Sequence, residues 1–337
     1  MRALFIGGTG TISGAVVRLA MARGWDVTLL KRTAGGVPQG AQWLQADIRD
    51  TARVETLLAG RRFDAVAQFV AFTPADVQRD MALFAGKTEQ YLFISSASAY
   101  QKPIAMLPIT ESTPLVNPYW QYSRDKAACE DALLARYRAE GFPVTIVRPS
   151  HTYNDQKLPV CLHGAKGGWQ TLARMQAGKP VLLPGDGNSL WTMTHADDFA
   201  KGFVGLMGNP RALGQAVHIT TDEALTWRQI YETLARAVGA PLNAVCVPSE
   251  FLAAHSGAYD FTGALLGDKA ANVLFDNTKI KRLAPGFCCE VSMAAGLRRC
   301  ADWALAHPEA QTPDPEFDAW CDAIVAAMQT AATSVLA

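Results

Sequence analysis

The chain has 337 residues, 49% of them apolar, and its 31 basic and 31 acidic side chains cancel. That length allows one large or two modest domains, and the neutral balance argues against a nucleic-acid partner held by charge. No run of 18 apolar residues marks a membrane span, and no HExxH or Cys/His cluster marks a metal site. The seven cysteines, at 129, 161, 246, 288, 289, 300 and 321, include no CxxC pair. Reduced thiols in a cytoplasmic protein without a secretory leader are expected.

In chain order, "RALFIGG" is a short apolar run ended by glycine, a buried strand, and "GAVVRLAMARG" has helical spacing up to Gly24. "DVTLLKR" and "AQWLQADIRD" carry a second and third strand, and "TARVETLLAG" a helix. "FDAVAQFVA" and "QYLFISSAS" are a fourth and fifth strand. "YSRDKAACEDALLARYRAEGF" predicts a helix ended by Gly141 and Pro143, with the strand "PVTIVRPS" after it. Strands alternating with helices build βαβ units, and right-handed crossovers make them a doubly wound, mostly parallel α/β sheet.

Further on the pattern loosens. The glycine-rich "LHGAKGGW" leads into a helix ended by Gly178, and "QAVHIT" predicts a strand returning to the main sheet. Thr226 caps a helix through "TWRQIYETLARAVGAP", and the alanine-rich last twenty residues predict another. The expected organisation is a core over 1–155 with 186–221 returning to it. A smaller C-terminal substrate-binding lobe takes 156–185 and 222–310, and a helical tail 311–337.

"FIGGTGTISG", residues 5–14, stands between the first strand and helix, with Gly7, Gly10 and Ser13 at G-x-x-G-x-x-G spacing. Glycine permits the tight turn and the close approach of backbone to a pyrophosphate, which the helix N-terminus faces. Ser13 is small enough to stand for the third glycine. The end of the second strand discriminates between dinucleotides: an acid holds the ribose 2′-hydroxyl of NAD, arginine accommodates the 2′-phosphate of NADP. Lys31 and Arg32 stand there and favour NADP over NAD, although two solvated cations at a strand end would read the same. Asp47 and Ile48 follow the third strand, where an adenine edge would lie.

In "YWQYSRDK", residues 119–126, only Tyr122 stands four residues before Lys126. One helical turn puts both side chains on one face. A free phenol titrates near about 10, and a neighbouring ammonium favours its ionised form. Tyr122 can then exchange a proton with a substrate hydroxyl while hydride moves. One βα unit earlier, "LFISSASAY" ends a strand in hydroxyl residues able to hydrogen-bond the reacting oxygen.

Loop, hydroxyl strand, Tyr/Lys pair and "RPSHTY", in that order, resemble the extended short-chain dehydrogenase/reductase superfamily, in its NAD-dependent epimerase/dehydratase family, over about residues 1–305. The resemblance implies a Rossmann core and a small-molecule substrate. It makes Tyr122 and Lys126 the catalytic pair and Ser96 the catalytic hydroxyl, with Ser95 and Ser98 as rivals. Gly7, Gly10, Thr11, Ile12, Lys31, Arg32, Asp47, Ile48, Ala71 and Lys126 would hold the cofactor. Arg148, Pro149 and Tyr153 match the segment after the sixth strand, and His195 and Asp198 match residues with a structural role. A homodimer through the Tyr122 helix is also implied, with Cys129, Leu133 and Leu134 either at that interface or facing the sheet.

Three departures narrow the function. Ala97 and Ser98 stand where many nucleotide-sugar dehydratases carry an acid pair. Trp191 stands where an arginine commonly meets the substrate diphosphate, so Arg174, Lys179, Lys166 or Arg228 would have to serve. "GAKGGW" replaces the usual substrate-binding stretch. Ser98, His151, Trp169 and Trp191 are candidate substrate contacts, with Trp120 and His163 beside them, and each also fits ordinary packing. The leading expectation is an NAD(P)-dependent oxidoreductase or epimerase acting on a secondary alcohol of a sugar or sugar-like molecule. A nucleotide-sugar epimerase or dehydratase is the alternative. A non-catalytic NADP-sensing or RNA-binding protein of the same fold is the rival of another class.

Overall fold

The computed structural model describes residues 1–336. Strands β1 (Arg2–Ile6), β2 (Asp26–Lys31), β3 (Gln42–Gln45), β4 (Ala65–Gln68), β5 (Tyr91–Ile94) and β6 (Val144–Pro149) are followed by short strands β7 (His151–Tyr153), β8 (Val181–Pro184), β9 (Leu190–Trp191) and β10 (Met193–His195). The chain then returns with β11 (Ala216–Ile219) beside β6. This completes a seven-stranded sheet in the order β11-β6-β5-β4-β1-β2-β3. Every pairing within it is parallel.

Burial of both faces explains the near-continuous apolar strands. In β1, Ala3 and Phe5 pack with helices α1 (Thr11–Ala22) and α6 (Ala196–Leu206). Leu4 and Ile6, pointing the other way, pack with α2 (Thr51–Leu58), α3 (Pro74–Phe84) and α4 (Gln121–Glu140). Cys129 and Leu133 of α4 are fully buried in that second layer and face the sheet. Leu134 is partly buried against the same cluster. Helix α3 was not predicted, although its start carries a capping box: Thr73 caps Asp76 N, Pro74 opens the helix, and Asp76 accepts in return from Thr73 N.

A third apolar cluster forms away from the sheet. It gathers α5 (Trp169–Gln176), α7 (Trp227–Ala237), α10 (Met293–Ala306), the β8–β13 pair (β13, Ala244–Val247) and α11 (Pro315–Leu336). The predicted terminal helix corresponds to α11; residue 337 lies outside the described residues. Arg174, weighed above as a phosphate ligand, is 2% exposed and clamps this helix through Asp318 and Asp322 at 2.6 and 2.7 Å. Lys179 binds the same two carboxylates at 2.8 and 3.0 Å. Among the described residues no helix is long and apolar enough to cross a membrane.

Candidate active site

The turn after β1 places Gly7 and Gly8 at φ of 99° and 94°, a region that side chains rarely adopt. A Cβ on Gly8 would also lie 2.7 Å from Leu29 Cδ2, so this glycine, outside the spacing read above, is the one pressed against the sheet. Ser13 Oγ accepts from Gly10 N at 2.9 Å and fixes the first turn of α1. Thr9, Gly10 and Thr11 line one side of a crevice. Its other end is lined by Gly7, Lys31, Arg32, Asp47, Ile48 and Phe72. Lys31 Nζ bonds Thr9 Oγ1 at 3.0 Å and the Gly35 carbonyl. Asp47 is held by Arg49 at 2.7–3.0 Å, and those hydrogen bonds keep its carboxyl well below the usual range. A glycine turn closed to a Cβ, the head of α1 and two cations that form no ion pair among the described residues fit an elongated dinucleotide.

Helix α4 carries the Tyr/Lys pair and ends at Gly141, left-handed at φ 71°. Lys126 is 1% exposed, and its ammonium bonds the carbonyls of Ala71 and Ile94, each at 2.7 Å. Burial draws it down to about 8. Burial pushes the Tyr122 phenol above its ordinary value, and a hydrogen bond with Ser96 opposes that only partly. The expected lowering by the ammonium is therefore not seen; Nζ lies 5.8 Å from the Tyr122 ring centre, and desolvation outweighs it. Tyr122 holds its proton.

The three serines separate by partner. Ser95 donates to the buried Glu130. Ser98 meets Ser123 Oγ at 2.8 Å and Ser96 Oγ at 2.9 Å, and its carbonyl accepts from Asn117 Nδ2 at 2.7 Å. Of the three, Ser96 is the one that acts on the Tyr122 phenol, drawing its titration down against burial.

These groups open on a cleft of about 460 Å³, which Ile12, Trp120, His151, His163 and Trp191 also line. Trp191, only 1% exposed, donates its indole N–H to His151 Nδ1 at 3.2 Å and stacks on Trp227 at 5.3 Å. Burial, reinforced by nearby lysines, holds His151 well below its ordinary value, so the ring is neutral. Trp169 heads α5 and packs on the third cluster; it is not a wall of this cleft.

Lys157, Asp268 and Lys269 also line the cleft and were not legible in the sequence. The last two end a π-helical segment, Thr262–Lys269, which Gly263 and Gly267 let lie on the Trp120 indole; a Cβ at Gly263 would approach it to 2.3 Å. Beneath the cleft, Arg148 grips Glu130 at 2.6–3.1 Å and donates to Tyr100, whose hydroxyl meets His218 Nδ1 at 3.0 Å. His195 Nε2 lies 3.1 Å from Asp155, and Asp198 accepts from Glu290 N and Val291 N at 3.0 and 2.8 Å. Arg228 donates to Cys246 Sγ.

Residues 3–220 match the sequence profile of the NAD dependent epimerase/dehydratase family. A 2'-dehydrokanamycin reductase of Streptomyces kanamyceticus is 30% identical over 292 residues, covering 85% of this chain and 80% of that protein. A chloroplast stem-loop binding protein of 41 kDa from Arabidopsis thaliana is 26% identical, covering 71% and 63%. The crystal structure of a UDP-glucose 4-epimerase with UDP-glucose from Thermotoga maritima superposes with a TM-score of 0.72 over 91% of this chain and 100% of that one, at 20% identity, a likeness of fold.

Proposed function

The chain belongs to the NAD-dependent epimerase/dehydratase family and is an NAD(P)-dependent oxidoreductase or epimerase; from that premise we propose that it reduces a ring ketone of a sugar or sugar-like substrate, and oxidises the matching secondary alcohol in reverse, with NADP preferred. The observation that carries the reading is that Tyr122, Lys126 and Ser96 line one cleft together.

Bound in the crevice, NADPH supplies the hydride. Ser96 and Tyr122 both address the carbonyl oxygen, and Tyr122 gives its proton to that oxygen as negative charge develops there. Burial by itself makes the phenol a weaker acid, so this step relies on the positive charges that a bound nicotinamide cofactor and Lys126 would bring to Tyr122. Lys126, desolvated and held by two carbonyls, sets a positive charge under Tyr122 and offers its remaining N–H to a cofactor ribose. Trp191 supplies an apolar wall without charge, which favours a substrate lacking a nucleoside diphosphate. The NADP preference is supported by Lys31 and Arg32 at the crevice end, where Asp47 and Asp76 are already paired with Arg49 and Arg79.

The test is NADPH oxidation against a panel of keto-sugars, with parent and Tyr122→Phe. Loss of general acid catalysis costs on the order of 10²–10⁴-fold. A Phe variant that matches the parent on every substrate it turns over would end this reading.

A further inference from the structure

The wall of the cleft around His151 and His163 holds two lysines. Lys269 closes the π-helical segment, and Trp227 Nε1 fixes its carbonyl at 2.9 Å. Its ammonium donates to Cys161 O at 3.1 Å, which uses one of three N–H groups. Lys157 comes from the loop after β7, where its backbone N–H bonds Asn154 O at 3.1 Å. Both line the cleft.

Among the described residues neither ammonium forms an ion pair with a carboxylate. The lysines that form ion pairs among the described residues are Lys179, Lys201 and Lys281. The nearest acid in the cleft, Asp268, is shared with Lys102 and acts on Tyr122 as well. Burial and the two lysines keep His151 and His163 neutral; burial, with Lys157 adding to it, disfavours the charge on Lys269, and Asp268 offsets this only in part. Like charges gathered in a partly desolvated cleft are unfavourable unless something anionic joins them.

We propose that Lys157 and Lys269 form a subsite for one anionic group, a carboxylate or a phosphate, carried by the sugar-like substrate. This rests on reading the cleft as the substrate site. The anion would lie against the His151–His163 wall, with the reacting carbon at Tyr122. Lys157 also borders the crevice beside Gly10 and Thr11, so the protein must be saturated with cofactor before the subsite is probed.

The experiment is calorimetric titration of NADP-saturated protein with D-glucuronate, glucose 1-phosphate, D-glucose and D-glucosamine. At least one anionic sugar should bind tenfold or more tightly than glucose, with an advantage that shrinks as salt is raised. Whether glucuronate or glucose 1-phosphate leads tells carboxylate from phosphate. Lys269→Met should remove most of the advantage and leave glucose unaffected; Lys157→Met, at an exposed position that folding tolerates, should remove part of it. Glucose or glucosamine binding as tightly as both anions, no binding of either anion, or anion affinity unchanged in both variants overturns the proposal. Tyr122→Phe should keep the anion preference: parental turnover in that variant sinks the reductase reading alone, and loss of the preference with turnover intact in the parent sinks this one.

Discussion

Lys126 donates to the carbonyl of Ala71 at 2.7 Å, so the buried cation of α4 is held by main chain and not by a carboxylate. A second bond, to Ile94 O, ties it to the strand that leads into Ser96. One ammonium thereby joins the helix of Tyr122 to both strand ends that border the cleft.

Lys126→Met should fold, because the thioether keeps most of the buried stem, and its unfolding free energy should stay within about 1–2 kcal/mol of the parent. Turnover should fall at least tenfold. Since burial draws Lys126 down to about 8, its charge is present below that pH and lost above it. The parent's kcat/KM should therefore decline above pH 8, and Lys126→Arg should move that limb upward. A flat profile from pH 7 to pH 10 contradicts the assignment.

Lys31 and Arg32 lie at the end of the crevice proposed to take the adenosine, and among the described residues neither forms an ion pair. Hydrogen bonds to a charged group contribute about 1.5–3 kcal/mol, so the Lys31→Ala/Arg32→Ala double variant should lose roughly 10–100-fold in NADP affinity and little in NAD affinity. Equal losses for both dinucleotides, measured by fluorescence titration, would place the phosphate elsewhere.

Glu130 and Arg148 are 1% and 4% exposed and share three contacts at 2.6–3.1 Å. Removing one partner leaves the other charge buried and alone. Glu130→Ala should cost about 3–5 kcal/mol in urea unfolding, and the Glu130→Ala/Arg148→Met pair less than Glu130→Ala alone. The double variant being the less stable would contradict the account.

His151 is neutral because burial, with Lys269 and Lys157 behind it, opposes its charged form. The unfolded chain takes up this proton near the ordinary value of 6.5, whereas the folded chain takes it up only at much lower pH. The unfolded state thus binds more protons below that value, and stability falls as the pH drops through it. The contribution at one unit below is at most about 1.4 kcal/mol. His151→Gln keeps an acceptor for the Trp191 indole and should flatten the stability curve between pH 7 and pH 5.5 relative to the parent. Parallel curves would show that the ring takes up its proton as readily in the fold as in the unfolded chain.

Local pattern made the sheet, the glycine turn and the Tyr/Lys pair legible. A parallel strand buried on both faces needs a continuous apolar run, and two side chains one turn apart share a face whatever surrounds them. The capping of α3 was there to be read in Thr73, Pro74 and Asp76. Gly8 was hidden, because its need is set by Leu29 on the neighbouring strand.

The sequence by itself determined the order of the parallel sheet's βαβ units, the glycine turn after β1 and the placing of Tyr122 and Lys126 on one helix face. Each depends on spacing along one stretch of chain. Tertiary structure alone decided that Ser96 of the three serines meets Tyr122, that Trp169 leaves the cleft, and that Lys157 and Lys269 enter it. Those outcomes depend on distances between residues far apart in the chain. They also depend on desolvation, which raised the Tyr122 phenol where proximity to a lysine had predicted the reverse.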